Sequence, residues 1–109
     1  MPEPTIQQVF GSGATQDATT LTISKADLVT KGLTASATNT AESLMVGILL
    51  LAKDALTAAG LDTNPDQSIS IEDSFDSLVT RNNQTFRQKT YSINLQKLDT
   101  SSTIDPDDY

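Results

Sequence analysis

The segment from Asn39 to Gly60 constrains the fold more than any other part of the sequence. Asn39 is a favourable N-cap residue, and Glu42 stands three positions later, where a capping-box side chain reaches back to the cap amide. At the other end, Gly60 suits the left-handed position that follows a helix, and Pro65 prevents any continuation. The pattern predicts one α-helix over about residues 40–59.

The first half of this predicted helix is apolar on nearly every side. Val46 and Leu50 lie outside the main apolar face and beside the charged residues Lys53 and Asp54. A helix in a small domain usually keeps its far side in water, so we expect a second surface to cover Val46 and Leu50. That surface is either another subunit or the N-terminal strands of the same chain. The main face consists of Leu44, Met45, Ile48, Leu49, Leu51, Ala52, Ala55, Leu56 and Ala59.

The N-terminal part of the chain favours short elements. Its predicted elements are a strand at 5–10, a Gly-Ser-Gly turn at 11–13, a strand at 19–24 and a single helical turn at 25–28.

Residues 68–98 are typical of a long antiparallel β-hairpin that turns at 81–84. A two-residue turn at Asn82-Asn83 would place the apolar residues of the two arms on opposite faces. We therefore expect a three- or five-residue loop, or a bulge. An acidic first arm and a basic second arm support the pairing. An alternative interpretation folds residues 73–79 as a short helix.

The predicted fold class is α+β: one central α-helix packed on a small antiparallel sheet, with a long C-terminal β-hairpin. At 109 residues the chain suffices for one domain. We expect an N-terminal arm over 1–18, the α+β domain over 19–98 and a flexible acidic tail over 99–109. If the tail is ordered, a neighbouring surface holds it, for example a basic patch at Arg87 and Lys89.

Composition argues against several functional classes. The net charge of −7 gives no overall positive field for phosphate, so we expect no nucleic-acid partner. The chain has no Cys and no His, which removes thiol nucleophiles, zinc–cysteine sites and the commonest general base. We expect no enzyme activity, no cofactor and no small-molecule substrate. Asp62 to Asp66 resembles the opening of a calcium loop, but Gln67 stands where that loop needs Gly, so a helix-to-strand turn is the better interpretation.

From the sequence we expect a protein that is neither secreted through a signal peptide nor transmembrane. The N-terminus Met1 to Pro4 lacks a basic region followed by an apolar region. The most apolar stretch, Leu44 to Ala52, is far shorter than the ~20 residues that span a bilayer.

The arrangement of a polar N-terminal arm, short strands, an Asn-Thr-Ala-Glu-capped apolar helix and a long hairpin resembles small structural proteins of tailed bacteriophages. The decoration or cement proteins that bind capsomers are the nearest type. Residues 39–52 and the closing Ile-Asp-Pro-Asp-Asp-Tyr are also similar to small proteins of cyanobacteria and their phages.

The resemblance implies a virion component that binds copies of itself and a major capsid or tail protein. A small cytoplasmic oligomeric adaptor is the alternative. The residues expected to make such contacts are Val46, Leu50, Lys53, Arg87, Lys89, Asp107, Asp108 and Tyr109.

Overall fold

The structure, a computed structural model, describes residues 3–97 and 106–109. Within these residues the helices are α1 (Ile6–Phe10), α2 (Lys25–Val29), α3 (Ala41–Ala55) and α4 (Ala58–Thr63). The strands are β1 (Thr15–Gln16), β2 (Leu21–Thr22), β3 (Ile69–Asp73), β4 (Ser77–Arg81), β5 (Gln84–Gln88) and β6 (Tyr91–Leu95). A 3-10 turn follows at Pro106–Asp108. The strands pair antiparallel, β1 with β2, β3 with β6 and β4 with β5. The chain therefore has the predicted α+β class.

Residues 5–10, predicted as a strand, form helix α1 instead. The Thr5 hydroxyl accepts a hydrogen bond from the Gln8 amide at 3.2 Å, and the Gln8 side chain accepts one from the Thr5 amide at 2.8 Å. This capping box starts a helix where β propensity alone favours a strand. Gly11, with φ at 104°, ends it. Helix α1 contacts α3, so the predicted N-terminal arm contains a packed element.

The stretch from residue 11 to 29 agrees in part with the prediction. The turn at 11–13 is present, and the Ala14 amide donates to the Gly11 carbonyl at 2.9 Å. Of the predicted strand at 19–24, only β2 is formed, and it pairs with β1. The predicted helical turn at 25–28 is confirmed as α2.

Helix α3 is capped by Thr40, so the prediction of Asn39 as N-cap is wrong by one residue. The Thr40 hydroxyl accepts a hydrogen bond from the Ser43 amide at 3.1 Å. The Asn39 side chain instead stabilises the preceding loop. Its oxygen accepts a hydrogen bond from the Ser36 amide and its nitrogen donates one to the Thr34 carbonyl, both at 2.9 Å. Glu42 lies in the first helical turn, where its negative charge interacts favourably with the helix dipole. It does not form a capping box with Thr40.

The helix predicted over 40–59 is divided into α3 and α4. Leu56 leaves the helical conformation, and Thr57 caps α4 by accepting from the Gly60 amide at 3.1 Å. Gly60 is therefore inside α4 and does not follow a helix end. The break directs the Leu56 carbonyl to the Ile71 amide, at 2.8 Å, which ties the end of α3 to strand β3.

The C-terminal strands form one long hairpin closed by a two-residue turn. Asn82 and Asn83 have φ values of 51° and 62°, as a type I′ turn requires. They connect Arg81 directly to its partner Gln84. The predicted loop of three or five residues is therefore wrong, and so is the alternative helix over 73–79.

A bulge, the other predicted solution, is confirmed in the middle of this hairpin. The Ser74 amide donates to the Thr90 carbonyl at 2.8 Å, whereas β4 and β5 pair in a register shifted by one residue. Phe75 and Asp76 consequently stand opposite the single residue Lys89. Beyond the bulge the apolar residues of the two arms face each other, as the pairs Ile71 with Ile93 and Ile69 with Leu95.

The core of the molecule lies around α3, which contacts α1, α2 and β3. Among the described residues, the buried apolar side chains are Ala14, Leu28, Ala52 and Ile71. Gly47 is also buried, because α2 approaches so closely that a Cβ at this position would lie 3.3 Å from the Leu28 Cβ. The described part of the chain contains no helix that is both long and apolar enough to cross a membrane.

Candidate interaction surface

One side of α3 carries apolar residues that its own chain leaves exposed. Met45 is 63% exposed and Val46 is 54% exposed. Glu42 is exposed one turn earlier, and Leu49 is half-buried one turn later. The positions of Glu42, Met45, Val46 and Leu49 place them on one side of the helix, and we call this set the α3 stripe.

The position of Gly47 explains why the α3 stripe faces outward. Successive residues turn by about 100° around a helix, so Met45 and Leu49 point about 160° away from Gly47. Because Gly47 lies against α2, the Met45 and Leu49 side chains are directed away from α2. Helical periodicity puts Met45 in the main apolar face and so does not mark it as a surface residue. Gly47, in the middle of the helix, is the sequence signal from which the packed side could have been identified.

Of the two apolar helix residues predicted as contacts, Val46 and Leu50, Val46 is the more accessible. Val46 also lines a groove between α3 and the loop that follows α2, together with Leu33 and Asn39. Leu50 is half-buried. The solvent-facing surface of α3 is thus shifted toward its N-terminal half relative to the prediction.

Lys53, a third predicted contact residue, joins α3 to the hairpin within the chain. Its ammonium group donates to an Asp73 carboxylate oxygen at 2.9 Å and lies 5.2 Å from the centre of the Tyr91 ring. The hydrogen bond to Asp73 raises the pKa of Lys53 above its ordinary value. Asp54, the neighbouring acid, forms an ion pair with Lys31.

The second exposed surface is the outer half of the hairpin, residues 74–90, which we call the hairpin arm. No residue of β4 or β5 is buried. Phe75, at the bulge, is 87% exposed, and Leu78 is 64% exposed. Neither residue was among the predicted contact residues, and the conflict in apolar parity predicted a longer loop or a bulge without placing it at Phe75.

Two faces of the hairpin arm differ in chemistry. On one face Val79 and Phe86 pair across the strands and are half-buried, and the Arg81 guanidinium lies 4.5 Å from the centre of the Phe86 ring. On the other face the exposed Leu78 stands directly opposite Arg87. The Leu78–Arg87 face therefore presents an apolar side chain and a positive charge together.

The predicted contact residues Arg87 and Lys89 have different surroundings. The Lys89 ammonium group lies 3.2 Å from an Asp76 carboxylate oxygen, which confirms the predicted attraction between the acidic and basic arms. Arg87 makes no ion pair with any residue in the described part of the chain.

The three C-terminal contact residues lie at or beside the 3-10 turn. Asp107 is exposed, and Asp108 ends the turn. Tyr109 is half-buried and lines a groove with Pro4, Ile6 and other residues of the N-terminal segment. The part of the predicted flexible tail at 99–105 lies outside the described residues. The described end of the chain thus borders a groove beside α1.

The segment compared with a calcium loop runs from the end of α4 into a turn. Asp62 belongs to α4, and the Asn64 side chain accepts a hydrogen bond from the Asp66 amide at 3.2 Å. Across residues 3–97 and 106–109, no three or more acidic side chains are grouped so as to hold a metal ion.

Comparison of the chain with protein-family models, curated proteins and solved structures finds no match.

Proposed function

We propose that this protein is a non-enzymatic structural subunit of a virion. In this role it binds and stabilises other capsid or tail subunits through protein–protein contacts, and the α3 stripe is its principal contact surface. The observation that carries the proposal is the exposure of Met45 and Val46 on the central helix of the fold.

Burial of the α3 stripe by a partner is energetically favourable. Complete burial of one large aliphatic side chain contributes about 1.5–3 kcal/mol. Met45 and Val46 retain more than half of their accessible surface in the single chain, so a large share of this free energy is still available for binding. The negatively charged Glu42 at one end of the stripe adds a polar contact that can select the partner.

The dimensions of the molecule agree with a subunit that packs against others. Its accessible surface is 7980 Å², whereas the usual scaling of area with mass gives about 5,800 Å² for a compact monomer of this size. The Cα radius of gyration is 16.2 Å, compared with about 13 Å for a compact domain of this length. The excess of about 2,000 Å² is larger than the roughly 800 Å² that one partner contributes to a specific protein–protein interface.

The chemistry of the chain supports binding more than catalysis. With no His and no Cys, the reactive side chains are carboxylates, hydroxyls and amines. The capsid or tail setting is supported by the resemblance in layout to phage decoration proteins, namely a central capped helix followed by a long hairpin.

The proposal predicts that genes for capsid, portal or tail proteins flank this one, and that the chain binds at least one of their products. Val46→Gln is expected to weaken that binding at least about tenfold, which corresponds to about 1.4 kcal/mol. The thermal midpoint of the free chain should stay unchanged, because Val46 is exposed there. Isothermal titration calorimetry and circular dichroism measure the two effects.

A matched control uses Leu21→Gln, the same kind of substitution at a residue that is 51% exposed but lies on β2. This variant should bind with unchanged affinity. Equal binding by the Val46 and Leu21 variants would contradict the role of the α3 stripe. A gene neighbourhood without virion genes would contradict the virion setting.

A further inference from the structure

We propose that the α3 stripe is covered by the hairpin arm of a second copy of this chain. The inference rests on the proposed function and identifies one partner of the same surface. In the single chain both surfaces face solvent, since Val46 of the stripe and Leu78 of the arm are each more than half exposed.

Charge favours a second copy as the partner of the hairpin arm. The hairpin arm contains three basic residues, Arg81, Arg87 and Lys89, and one acid, Asp76, so it carries a charge of +2. Since the whole chain carries −7, the remaining residues carry −9. A positive arm and a negative body attract each other between copies, which both steers association and selects the partner.

The two surfaces also match residue by residue. Leu78 and Arg87 stand directly opposite each other across β4 and β5, which puts their Cβ atoms about 5 Å apart. On α3, Val46 and Glu42 lie one turn apart, which puts their Cβ atoms about 5–6 Å apart. An arm laid across the helix, with its strands roughly perpendicular to the helix axis, therefore brings Leu78 onto Val46 and the Arg87 guanidinium to the Glu42 carboxylate in one contact.

Both charges of this contact are available for it. Within the described residues, neither Arg87 nor Glu42 forms an ion pair, whereas Lys89 is paired with Asp76, and Lys53 with Asp73. The exposed Phe75 at the base of the arm adds apolar surface beside the contact. The exposed apolar surface and the charge on the arm of one copy are thus complementary to those on the α3 stripe of another.

The contact joins two different surfaces, and symmetry then determines the assembly. Two copies can exchange arms about a two-fold axis, so that each arm covers the other copy's helix. Alternatively, the arm-to-helix contact repeats around a closed ring. In either case the arm of one copy occupies the α3 stripe of another, so a capsid or tail protein that binds the same stripe competes with the arm.

A charge-exchange experiment tests the contact. Arg87→Glu and Glu42→Arg should each weaken self-association at least about tenfold, and the double variant should recover most of the loss, because the ion pair is re-formed with its signs exchanged. Sedimentation velocity over a range of protein concentrations, at low and high salt, measures the association constants. Circular dichroism verifies that both exposed sites tolerate the changes.

Arg81→Glu is the matched control, because it makes the same charge change on the other face of the arm. A smaller effect of Arg81→Glu than of Arg87→Glu supports the specific contact. Equal effects, or no recovery in the double variant, would overturn it.

Two further outcomes separate this inference from the proposed function. If Val46→Gln weakens self-association and Arg87→Glu does not, the arm is not the partner, and the binding role of the stripe stands. A chain that remains monomeric at every concentration rules out a second copy, while titration with the capsid or tail proteins still tests the function.

Discussion

Asp17 stabilises the turn between β1 and β2 through hydrogen bonds to its carboxylate. Its Oδ1 atom accepts hydrogen bonds from the Thr19 and Thr20 amides, both at 2.8 Å. These bonds, with the Thr19 amide contributing most, lower the pKa of Asp17 from 3.8 to about 2. Because the folded pKa is depressed, the contribution of Asp17 to stability is present above pH 3.8 and is lost as the pH falls through about 2.

An NMR titration of the Asp17 side-chain carboxyl carbon is therefore expected to give a midpoint near pH 2. Thr19→Pro removes the strongest donor and should move the midpoint toward 3.8. A midpoint at the ordinary value in the unmodified protein would show that the turn does not hold the carboxylate in this way.

At the residue scale, the type of cap was more predictable than its position. Asn39 and Thr40 are adjacent, and both residue types are favourable N-caps. Thr40 caps the helix because the Asn39 amide group is already satisfied by the Ser36 amide and the Thr34 carbonyl. That loop is a tertiary arrangement that the local sequence does not specify.

The hairpin turn is an element whose sequence and conformation can be tested together. Asn83 has φ at 62°, where a β-branched residue is strained by about 1–2 kcal/mol. Asn83→Val is expected to accelerate amide exchange in β4 and β5, while β3 and β6 keep their protection because Ile71 is buried against the body. NMR hydrogen exchange measures both regions in one sample.

Asn83→Gly is the control for this substitution, since glycine adopts positive φ without strain. It should leave exchange in the hairpin arm unchanged or slower. If Val and Gly at residue 83 had the same effect on exchange, the type I′ conformation of the turn would be refuted.

At the element scale, hydrophobic periodicity and parity identified the elements more reliably than they placed the ends of those elements. The central helix, α2 and the long hairpin follow from the sequence. The parity conflict between the arms predicted either a longer loop or a bulge, and the bulge is present. The break after α3 was not predicted, because Leu56 and Thr57 fit a continuous apolar helix. Thr57 instead caps a new helix, and the Leu56 carbonyl binds the Ile71 amide, a partner from a distant part of the chain.

The candidate site was predictable in kind but only partly in detail. An apolar surplus on the helix pointed to Val46, which is exposed, and to Leu50, which is half-buried. Met45 was missed because helical periodicity gives a face without saying which face is packed. The packed side is decided by the approach of Leu28 to Gly47, a contact between two separate helices.

At the scale of the whole molecule, a small core supports an extended shape. Among the described residues, the buried apolar side chains around α3 are few, and two of them are alanines, while the molecule measures 47 Å in its greatest extent. A domain with so little buried apolar surface has a modest stability margin on its own. Association that covers the α3 stripe and the hairpin arm adds apolar burial and so stabilises the folded state.

The central claim is that the α3 stripe faces water in the single chain and is covered when the protein associates. Met45 reports on this directly, because its thioether is oxidised at a rate that depends on exposure. Peroxide oxidation, followed by peptide mass spectrometry, should modify Met45 readily in dilute monomer and much more slowly in the associated state. Protection of Met45 in the dilute monomer, or equal oxidation in both states, would contradict the account.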